Sequence, residues 1–397
     1  MIAVEKGSKV RLYPNKKQME YFEHCFEVKR QGFNYLLQMK KNDYYKLRAN
    51  QGVRYCNYQT RSNLGREYTK WKIEKHGYVS DSRIKNYIVQ DIENAYTKVF
   101  QEGAGWPKFK SYHKAKPSYT TGQNVKIEDG KLIIPKCKPL KFRGRIIDGD
   151  IKRVTISRKN ERYYASILFV NVRVTPKPKT RRLLAIDWGE ETFITTNYGI
   201  KTNPPLYKKY HKKVARLLHK LSKKKLYSKN WYKLKEKIDR LKEKINNKTT
   251  DWYHKHTYQI ARDFDEIAVE NLKYKRLHQQ GPKRSVSKIK KVQWTFGKWK
   301  IFLKYKLHWY KNEKIKKVNP QYTTKRCSNC QTINKKVLIK KNNTWLFKLW
   351  DRSIRIWKCP DCKTIHDRDI NAAKNIYNLA FCTVGATGIQ ACDTTTH

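Results

Sequence analysis

The order of apolar and polar residues predicts that the chain begins with a strand followed by a long helical segment. Residues 2–13 alternate between the two kinds of side chain and end at a Tyr-Pro pair, which is typical of one β-strand closed by a turn. From residue 16 to about residue 101, apolar side chains recur every three or four positions, as in Met19, Phe22 and Phe26. This spacing predicts helices whose aromatic residues mostly pack against one another.

A strand-rich segment is predicted after the glycines and proline at residues 103–107. The sequence NVKIEDGKLIIPK predicts a hairpin with its turn at Asp129-Gly130, and two more strands are expected around Lys159-Asn160. The lone N-terminal strand needs a sheet to join, and these later strands are the nearest candidates. A strand, a helical insertion and further strands together predict a β-barrel interrupted by a helical lobe.

A third part begins after a proline-containing linker. One apolar strand ends at Asp187, and a second, EIAVEN, covers residues 266–271. Between them, within residues 206–248, apolar side chains repeat at three- and four-residue spacings from Trp231 to Ile245, which predicts an amphipathic helix. Further helices are predicted around residues 294–311 and over residues 369–381.

The net charge points to a polyanionic partner. The 397 residues include 90 Lys and Arg against 33 Asp and Glu, a formal net charge of +57. Repulsion of this size opposes compaction unless a polyanion neutralises it, which indicates nucleic acid. Residues 206–248 alone hold 17 basic residues and three acids, so the outer side of the predicted helix is expected to contact phosphates. With no apolar run of membrane-spanning length, the protein is expected in the prokaryotic cytosol.

Four of the nine cysteines form a predicted metal site. Cys327 and Cys330 make one Cys-x-x-Cys pair, and Cys359 and Cys362 make another, with 28 residues between the pairs. Two such knuckles offer four thiolates to a tetrahedral Zn²⁺ ion, and a site with four protein ligands is closed to substrate. One structural zinc ion is therefore predicted. The other cysteines are interpreted as ordinary buried thiols: Cys25, Cys56, Cys137, Cys382 and Cys392.

Three acidic residues lie beside apolar segments of this basic chain. Asp187 and Glu270 end predicted strands, and Asp369 begins the last predicted helix. Each one alone would be an ordinary carboxylate in an ion pair. Together they can converge on two divalent metal ions about 3.5–4 Å apart, an arrangement that activates water for phosphodiester hydrolysis. Because oxygen ligands suit Mg²⁺ or Mn²⁺, we expect two catalytic Mg²⁺ ions at these residues.

The chain resembles the transposon-encoded TnpB family, which is related to the type V CRISPR effectors. The matching segments include LLAIDWGEETFITT, IAVENLK, NPQYTTKRCSNC and CKTIHDRDINAAKNI, together with GWPKFK at residues 105–110. The resemblance implies an RNA-guided DNA endonuclease that acts as a monomer on one guide RNA. Guide pairing would read the sequence of the target double-stranded DNA while the protein reads a short flanking motif. Of the two aspartates in DRD, the resemblance assigns the catalytic role to Asp369 rather than Asp367.

The resemblance also implies a multidomain α+β and α/β fold with a fixed domain order. A wedge-type β-barrel is interrupted by a helical recognition lobe, and an RNase H-like RuvC domain is interrupted by a zinc-binding module that contacts the target nucleic acid. These four parts correspond to residues 1–15 with 102–178, residues 16–101, residues 179–318 with 367–397, and residues 319–366. The 28-residue segment between the knuckles departs from the family pattern, because it is long, basic and aromatic, and its role is open.

Four other interpretations remain open. A compact type V CRISPR effector would use the same chemistry, although the chain length and the segment DRDINAAKNI favour the transposon protein. A nuclease-inactive guided repressor has no need of the three acids. A zinc-ribbon RNA-binding protein of ribosomal type explains the charge and the zinc but leaves those acids without a role. A DNA-transposing recombinase would transfer strands without a guide RNA.

Overall fold

The protein consists of two compact units that each combine helices and strands. The units are Met1–Val174 and Thr175–His397. No helix in the described part of the chain is long and apolar enough to cross a lipid bilayer. The computed structural model describes residues 1–51 (only the backbone for 46–51), 61–113, 115–189, 191–271, 295–311, 313–342, 344–351 and 353–382.

The first unit contains a seven-stranded antiparallel sheet. Its strands follow the spatial order β2-β6-β7-β1-β5-β4-β3. In chain order they are β1 (Ile2–Leu12), β2 (Ser118–Thr121), β3 (Lys126–Glu128), β4 (Lys131–Ile134), β5 (Cys137–Arg143), β6 (Asp150–Lys159) and β7 (Arg162–Val174).

Strand β1 lies in the interior of this sheet, as its need for partners predicted. It pairs with β7 over nearly its whole length, from Ile2 opposite Val174 to Leu12 opposite Tyr163, and with the end of β5. The prediction of a closed barrel is wrong for the described residues. Strands β2 and β3 are the two edges of an open sheet. They are only four and three residues long, so they offer few of the hydrogen bonds that closure would require.

Two hairpin turns occur where the sequence predicted them. Asp129 and Gly130 have φ angles of 49° and 66°, and they connect β3 to β4. Asn160 and Glu161 have φ angles of 51° and 58°, and they connect β6 to β7. Two consecutive residues with positive φ match the twist of the strands that they join, and Asn, Asp and Gly accept this conformation most readily.

Between β1 and β2, the described residues form three helices: α1 (Lys16–Gln51), α2 (Arg61–His76) and α3 (Ile84–Glu102). The three- and four-residue spacing therefore predicted this segment correctly. Phe22 of α1 is fully buried, and its ring lies 6.3 Å from that of Tyr119 and 5.7 Å from that of Tyr163. Helix α3 ends at Gly103, whose φ of 62° suits a residue without a side chain.

The five remaining cysteines are not all buried as expected. Cys25 is fully buried in α1, whereas Cys137 and Cys382 are partly exposed. Cys56 and Cys392 lie outside the described residues.

A five-stranded mixed sheet forms the centre of the second unit. Its spatial order is β10-β9-β8-β11-β12, and the three strands β8, β11 and β12 are parallel, with β12 at one edge. The pattern of nearly continuous apolar residues in β8 and β11 reflects burial on both faces. In chain order the strands are β8 (Leu183–Asp187), β9 (Ile194–Thr196), β10 (Lys201–Thr202), β11 (Glu266–Glu270) and β12 (Lys316–Val318).

Helices cover both faces of this sheet. Helices α5 (Lys229–Asp263) and α6 (Phe296–Lys311) pack against Leu184 and Ile186 of β8. Helix α7 (Arg368–Phe381) packs against Ala185 on the opposite face, because successive side chains of a strand alternate in direction.

The repeat from Trp231 to Ile245 lies in one helix, α5, as predicted, and the basic segment 206–248 contains a second helix before it. Helix α4 (Lys208–Ser222) ends before Ser228, whose Oγ accepts the N–H of Trp231 at 3.2 Å and caps the start of α5. The apolar side chains of α4 and α5 pack together around Val214 and Ile238, so most of their lysines are exposed.

A four-stranded antiparallel sheet occupies the region of the cysteines. Its strands are β13 (Lys336–Lys341), β14 (Thr344–Leu349), β15 (Ile356–Lys358) and β16 (Ile365–Asp367), in the order β14-β13-β15-β16.

A buried ion pair at the end of α6 leads to the first prediction. Asp265 lies 2.7 Å from Lys311, whose side chain is fully buried, and accepts the N–H groups of Thr180 and Arg181. Burial acts to raise the pKa of Asp265, but these hydrogen bonds lower it overall. Asp265→Ala should reduce the free energy of unfolding by about 2 kcal/mol at neutral pH, because Lys311 loses its counter-charge.

Chemical denaturation as a function of pH measures this effect. Because the pKa of Asp265 is lower in the folded state, the stabilisation is present at neutral pH and is lost as the pH falls below about 4. Asp263→Ala is the matched control, because Asp263 pairs with Arg262 at the surface. Equal destabilisation by both variants, or a difference that persists at low pH, would contradict the role assigned to Asp265.

Candidate metal centres

Two of the three predicted carboxylates lie side by side at the ends of adjacent strands. Strands β8 and β11 are parallel, with Ile186 opposite Val269, so the next residues, Asp187 and Glu270, end the two strands at the same level. Asp187 lies two residues after Ala185, and Glu270 lies two residues after Ala268. Both alanines face α7. The side chains of Asp187 and Glu270 therefore point towards the face of the sheet that α7 covers.

The third carboxylate is at the start of α7. Asp367 is the N-cap of this helix, and its Oδ1 accepts the N–H groups of Asp369 and Ile370 at 3.1 Å. Asp369 lies in the first turn and is only 7% exposed, whereas Asp367 pairs with Lys201 at 2.7 Å nearer the surface. The two aspartates of the DRD sequence thus have different surroundings.

The three carboxylates are close enough to repel one another. Burial raises the pKa of Asp187 well above its ordinary value, and the charges of Glu270 and then Asp369 raise it further. Burial also raises the pKa of Glu270, against the opposing effect of a hydrogen bond from the Thr323 hydroxyl. A buried group of oxygen donors with excess negative charge is the donor set that Mg²⁺ or Mn²⁺ prefers, so these residues fit such an ion.

Two arginines place positive charge beside Asp369. A nitrogen of Arg368 lies 3.0 Å from its carboxylate, and one of Arg355 lies 3.3 Å from it. Arg355 also contacts Glu191 at 3.1 Å. Arg355 belongs to the long segment between the two cysteine pairs, so this segment contributes a side chain to the carboxylate site.

The four predicted zinc ligands form one cluster. Their sulfur atoms all lie within 4.8 Å of one another, with 3.6 Å between Cys327 and Cys362 and 3.7 Å between Cys330 and Cys359. Four sulfurs at 2.3 Å from a tetrahedral zinc ion are separated by about 3.8 Å. The cluster can therefore hold a structural metal ion such as zinc.

Both knuckles have the same backbone conformation. In the first, the Cys327 N–H donates to Thr332 and its carbonyl accepts from Gln331. In the second, the N–H and carbonyl of Cys359 make the corresponding bonds with Thr364 and Lys363. Gln331 and Lys363, each directly after the second cysteine of its pair, have φ angles of 64° and 60°. Because the turn is the same in both knuckles, the two sulfurs of one pair and the two of the other point towards a common centre.

Two buried asparagines attach the first knuckle to α7. The amide of Asn371 donates to the carbonyl of Arg326 and accepts the N–H of Ser328, both at 2.8 Å. Asn375, one turn later, donates to the carbonyls of Arg326 and Thr323 at 2.7 and 2.8 Å. The cysteine cluster is thus bonded to the helix that carries Asp369.

Several of these residues were not identified from the sequence. Thr323 and Arg355 give no local signal, because their partners are known only from the fold, whereas Arg368 directly precedes its partner Asp369. Asn371 and Asn375 could have been found, since they occupy buried positions of a helix whose other inward residues are Ala372, Ala373 and Ile376. A polar residue at such a position requires a hydrogen-bond partner.

Comparison with known proteins identifies three family models along the chain. Residues 1–48 match a model described as "Helix-turn-helix domain", residues 152–280 match "Probable transposase", and residues 296–376 match "Cas12f1-like, TNB domain". In this structure residues 1–48 form β1 and most of α1, so the first description does not fit the observed elements.

Two relatives extend over most of the chain. The "Putative RNA-guided DNA endonuclease" of Streptomyces pristinaespiralis is 26% identical over 386 residues, which are 95% of this chain and 89% of that protein. The "Putative RNA-guided DNA endonuclease InsQ" of Escherichia coli (strain K12) is 28% identical over 312 residues, 75% and 74% of the two chains. Among solved structures, a Cas12f1–sgRNA–target DNA complex contains a chain with the same fold, at a TM-score of 0.56 and 13% identity, covering 95% of this chain and 99% of that one.

The cysteine cluster yields a prediction about metal content. Cys359→Ser removes one of four ligands, so the protein should lose its zinc and the C-terminal region should unfold at lower temperature. The loss is expected to be large, because structural zinc contributes on the order of 10 kcal/mol to small modules. Elemental analysis of reduced, purified protein and a thermal unfolding curve measure the two effects. Cys137→Ser is the control, and zinc-free wild-type protein would contradict the assignment.

Proposed function

Because this chain belongs to the TnpB family of transposon-encoded proteins, we propose that it is an RNA-guided DNA endonuclease. It would hydrolyse phosphodiester bonds of target DNA beside a short flanking motif. The proposal depends mainly on the carboxylate cluster, in which Asp187, Glu270 and Asp369 come together although 83 and 99 residues separate them along the chain. The names of the two relatives that cover most of this chain support the same activity.

Asp187, Glu270 and Asp369 would hold two Mg²⁺ ions. Bound there, the ions would supply an activated water and stabilise the oxygen that leaves the phosphodiester. The protein's own residues orient the ligands, since Thr323 donates to Glu270 and Asp367 fixes the first turn of α7. The zinc ion at the cysteine cluster would have a structural role only.

The partners would be one guide RNA and the target double-stranded DNA, with one protein molecule per guide. A net charge of +57 is far more than solubility requires, and α4 and α5 expose a large part of it. These two helices are the surface that we assign to the phosphates of the guide or the target. Base pairing would then read the target sequence, as in other guided nucleases.

The domain assignment from the sequence is retained as part of this proposal. The open sheet would be the wedge domain, α1 to α3 the recognition lobe, and the five-stranded sheet with its helices an RNase H-like RuvC domain. The four-stranded sheet and its cysteines, which lie within residues 319–366 except for the last residue of β16, Asp367, would form the module that contacts target nucleic acid.

Neutralising one carboxylate at a time tests the nuclease proposal. Asp187→Asn, Glu270→Gln and Asp369→Asn should each abolish cleavage of guide-matched DNA in Mg²⁺, because the three side chains hold the same ions. A double variant should be little worse than a single one, since residues that act as a unit are not additive. DNA binding should persist in all of them, because the phosphate contacts come from lysine and arginine.

Asp367→Asn is the matched control for this experiment. Asparagine caps a helix as well as aspartate does, so the start of α7 should keep its conformation while the contact to Lys201 is weakened. Cleavage should be largely retained. Loss of cleavage in Asp367→Asn with activity in Asp369→Asn would reverse the assignment within DRD, and normal cleavage by all four variants would refute the nuclease.

Salt dependence tests whether the positive charge is used on phosphates. The logarithm of RNA affinity should fall linearly with the logarithm of salt concentration, by about 0.7 for each single-strand phosphate that is neutralised. Replacing the exposed Lys233 and Lys237 of α5 with glutamine should reduce that slope by roughly 1.4 if both contact the RNA. A nearly flat salt dependence in the wild-type protein would contradict the assigned use of the charge.

A further inference from the structure

The two cysteine knuckles each begin a repeated eight-residue motif. Residues 327–334 read CSNCQTIN and residues 359–366 read CPDCKTIH, so both have the pattern Cys-x-x-Cys-x-Thr-Ile followed by Asn or His. The backbone repeats as well, because the residue before each motif pairs with the isoleucine inside it. The pairs are Arg326 with Ile333 and Lys358 with Ile365. Differences between the two motifs therefore arise from their side chains.

The threonine of each motif contacts a sulfur of its own knuckle. The hydroxyl oxygen of Thr332 lies 3.6 Å from the sulfur of Cys330. The hydroxyl oxygen of Thr364 lies 3.3 Å from the sulfur of Cys362. Both of these cysteines are the second of their pair and are partly exposed.

The last residue of each motif reaches a sulfur of the other knuckle. Asn334 places its amide nitrogen 3.9 Å from the sulfur of Cys359. His366 places Nε2 3.0 Å from the sulfur of Cys327. These two cysteines are the first of their pairs and are fully buried. Each motif thus supplies a polar side chain to the buried sulfur of the other one.

A buried thiolate requires hydrogen-bond donors from the protein. Bound to a metal ion it keeps negative charge, and away from water that charge is costly unless donors surround it. Backbone N–H groups inside each knuckle donate to Cys327 and Cys359 in the same way. The two buried sulfurs therefore differ in the side chain that faces them. A thiolate can only accept, so a histidine that bonds to it must carry its proton on Nε2.

The histidine contact is the shorter of the two, and the ring is held in place. His366 is 7% exposed and lies opposite Trp357 in the strand ladder, with 4.5 Å between the ring centres. Trp357 is fully buried, so the imidazole has little freedom to turn away from Cys327. A donor fixed at short range forms a stronger bond than the amide of Asn334 at 3.9 Å.

The position of His366 along the chain adds to the effect of this bond. The residue directly precedes Asp367, which is the N-cap of α7. A bond from His366 to Cys327 therefore fastens the end of β16 to the opposite knuckle just before the chain enters α7.

We propose that His366 is a positioning residue for the zinc ion. Its Nε2–H group donates to the Cys327 thiolate and, together with Asn334 at Cys359, withdraws negative charge from the two buried sulfurs. Hydrogen-bond partners of metal ligands are worth about 10–100-fold in metal affinity. The proposal rests on the assignment of zinc to the cysteine cluster, and it involves neither a guide RNA nor the carboxylates.

Two substitutions at position 366 separate the hydrogen bond from the packing of the ring. His366→Phe keeps a ring against Trp357 and removes the donor. His366→Asn removes the ring and introduces the side chain that the first motif has at the same place. His366→Phe should weaken zinc binding by about 10–100-fold, and His366→Asn should retain more of the affinity. Competition with a chromogenic chelator on the full-length protein measures both.

Cobalt gives a spectroscopic signature that packing alone would not change. Co²⁺ bound by thiolates shows a sulfur-to-metal charge-transfer band, and a hydrogen bond to the sulfur raises the energy of that transition. His366→Phe should therefore move the band to longer wavelength, and His366→Asn should move it less. Asn334→Ala should move it in the same direction by a smaller amount, because its contact is longer. Cys137→Ser is the control and should leave the band unchanged.

The outcomes distinguish this inference from the proposed function. Equal zinc affinity and an identical cobalt band in wild type, His366→Phe and Asn334→Ala overturn it, even if the wild-type protein cleaves guide-matched DNA. Weak binding by His366→Asn with normal binding by His366→Phe assigns the effect to ring packing and also overturns it. Zinc that is retained by Cys327→Ser but lost by His366→Phe would make the histidine a ligand, contrary to the proposal.

The remaining outcomes cover misfolding and inactivity. If His366→Phe does not fold, the shift of the cobalt band in Asn334→Ala decides the matter, and no shift there overturns the proposal. Protein that shows the expected changes in zinc affinity but never cleaves under a guide supports the role of His366 and refutes the nuclease. Wild-type protein without zinc overturns the role of His366 and leaves the nuclease proposal to its own test.

Discussion

Mutual repulsion among three buried carboxylates is the constraint around which the second unit is arranged. Asp187, Glu270 and Asp369 lie together away from water, and the pKa of Asp187 is raised by that burial and by its two neighbours. The protein compensates with a hydroxyl donor to Glu270 and with two guanidinium groups beside Asp369. A divalent cation at this site would remove the remaining repulsion, so its binding should stabilise the folded unit as well as equip it for catalysis.

Hydrogen bonds and an ion pair connect the cysteine cluster directly to the carboxylate site. Asn371 and Asn375 bond α7 to the backbone of the first knuckle, and Arg355 extends from between the knuckles to Asp369. A structural metal ion therefore fixes more than its own four ligands. Damage to the knuckles should displace Asp369, although none of the cysteines lies among the carboxylates.

The sequence identified those parts of the fold and site whose signal is local. Asp187 and Glu270 could be found because each ends a short apolar strand, and the two knuckles could be found because each has its own spacing. The open sheet could not, because closure depends on whether β2 and β3 are long enough to meet. Thr323 and Arg355 could not either, because they act on partners 53 and 14 residues away, Glu270 and Asp369, which only the folded chain brings near.

The interior position of β1 has a consequence for the time at which the first unit can fold. This strand is synthesised before both of its partners, β5 and β7, and β7 ends only at Val174. At about 5–20 residues per second, roughly 8–30 s of synthesis separate the two strands. During that interval α1 to α3 can form from local contacts, while β1 has an unpaired edge on both sides. Newly made chains should therefore be most prone to aggregation, and most dependent on chaperones, before translation reaches the end of β7.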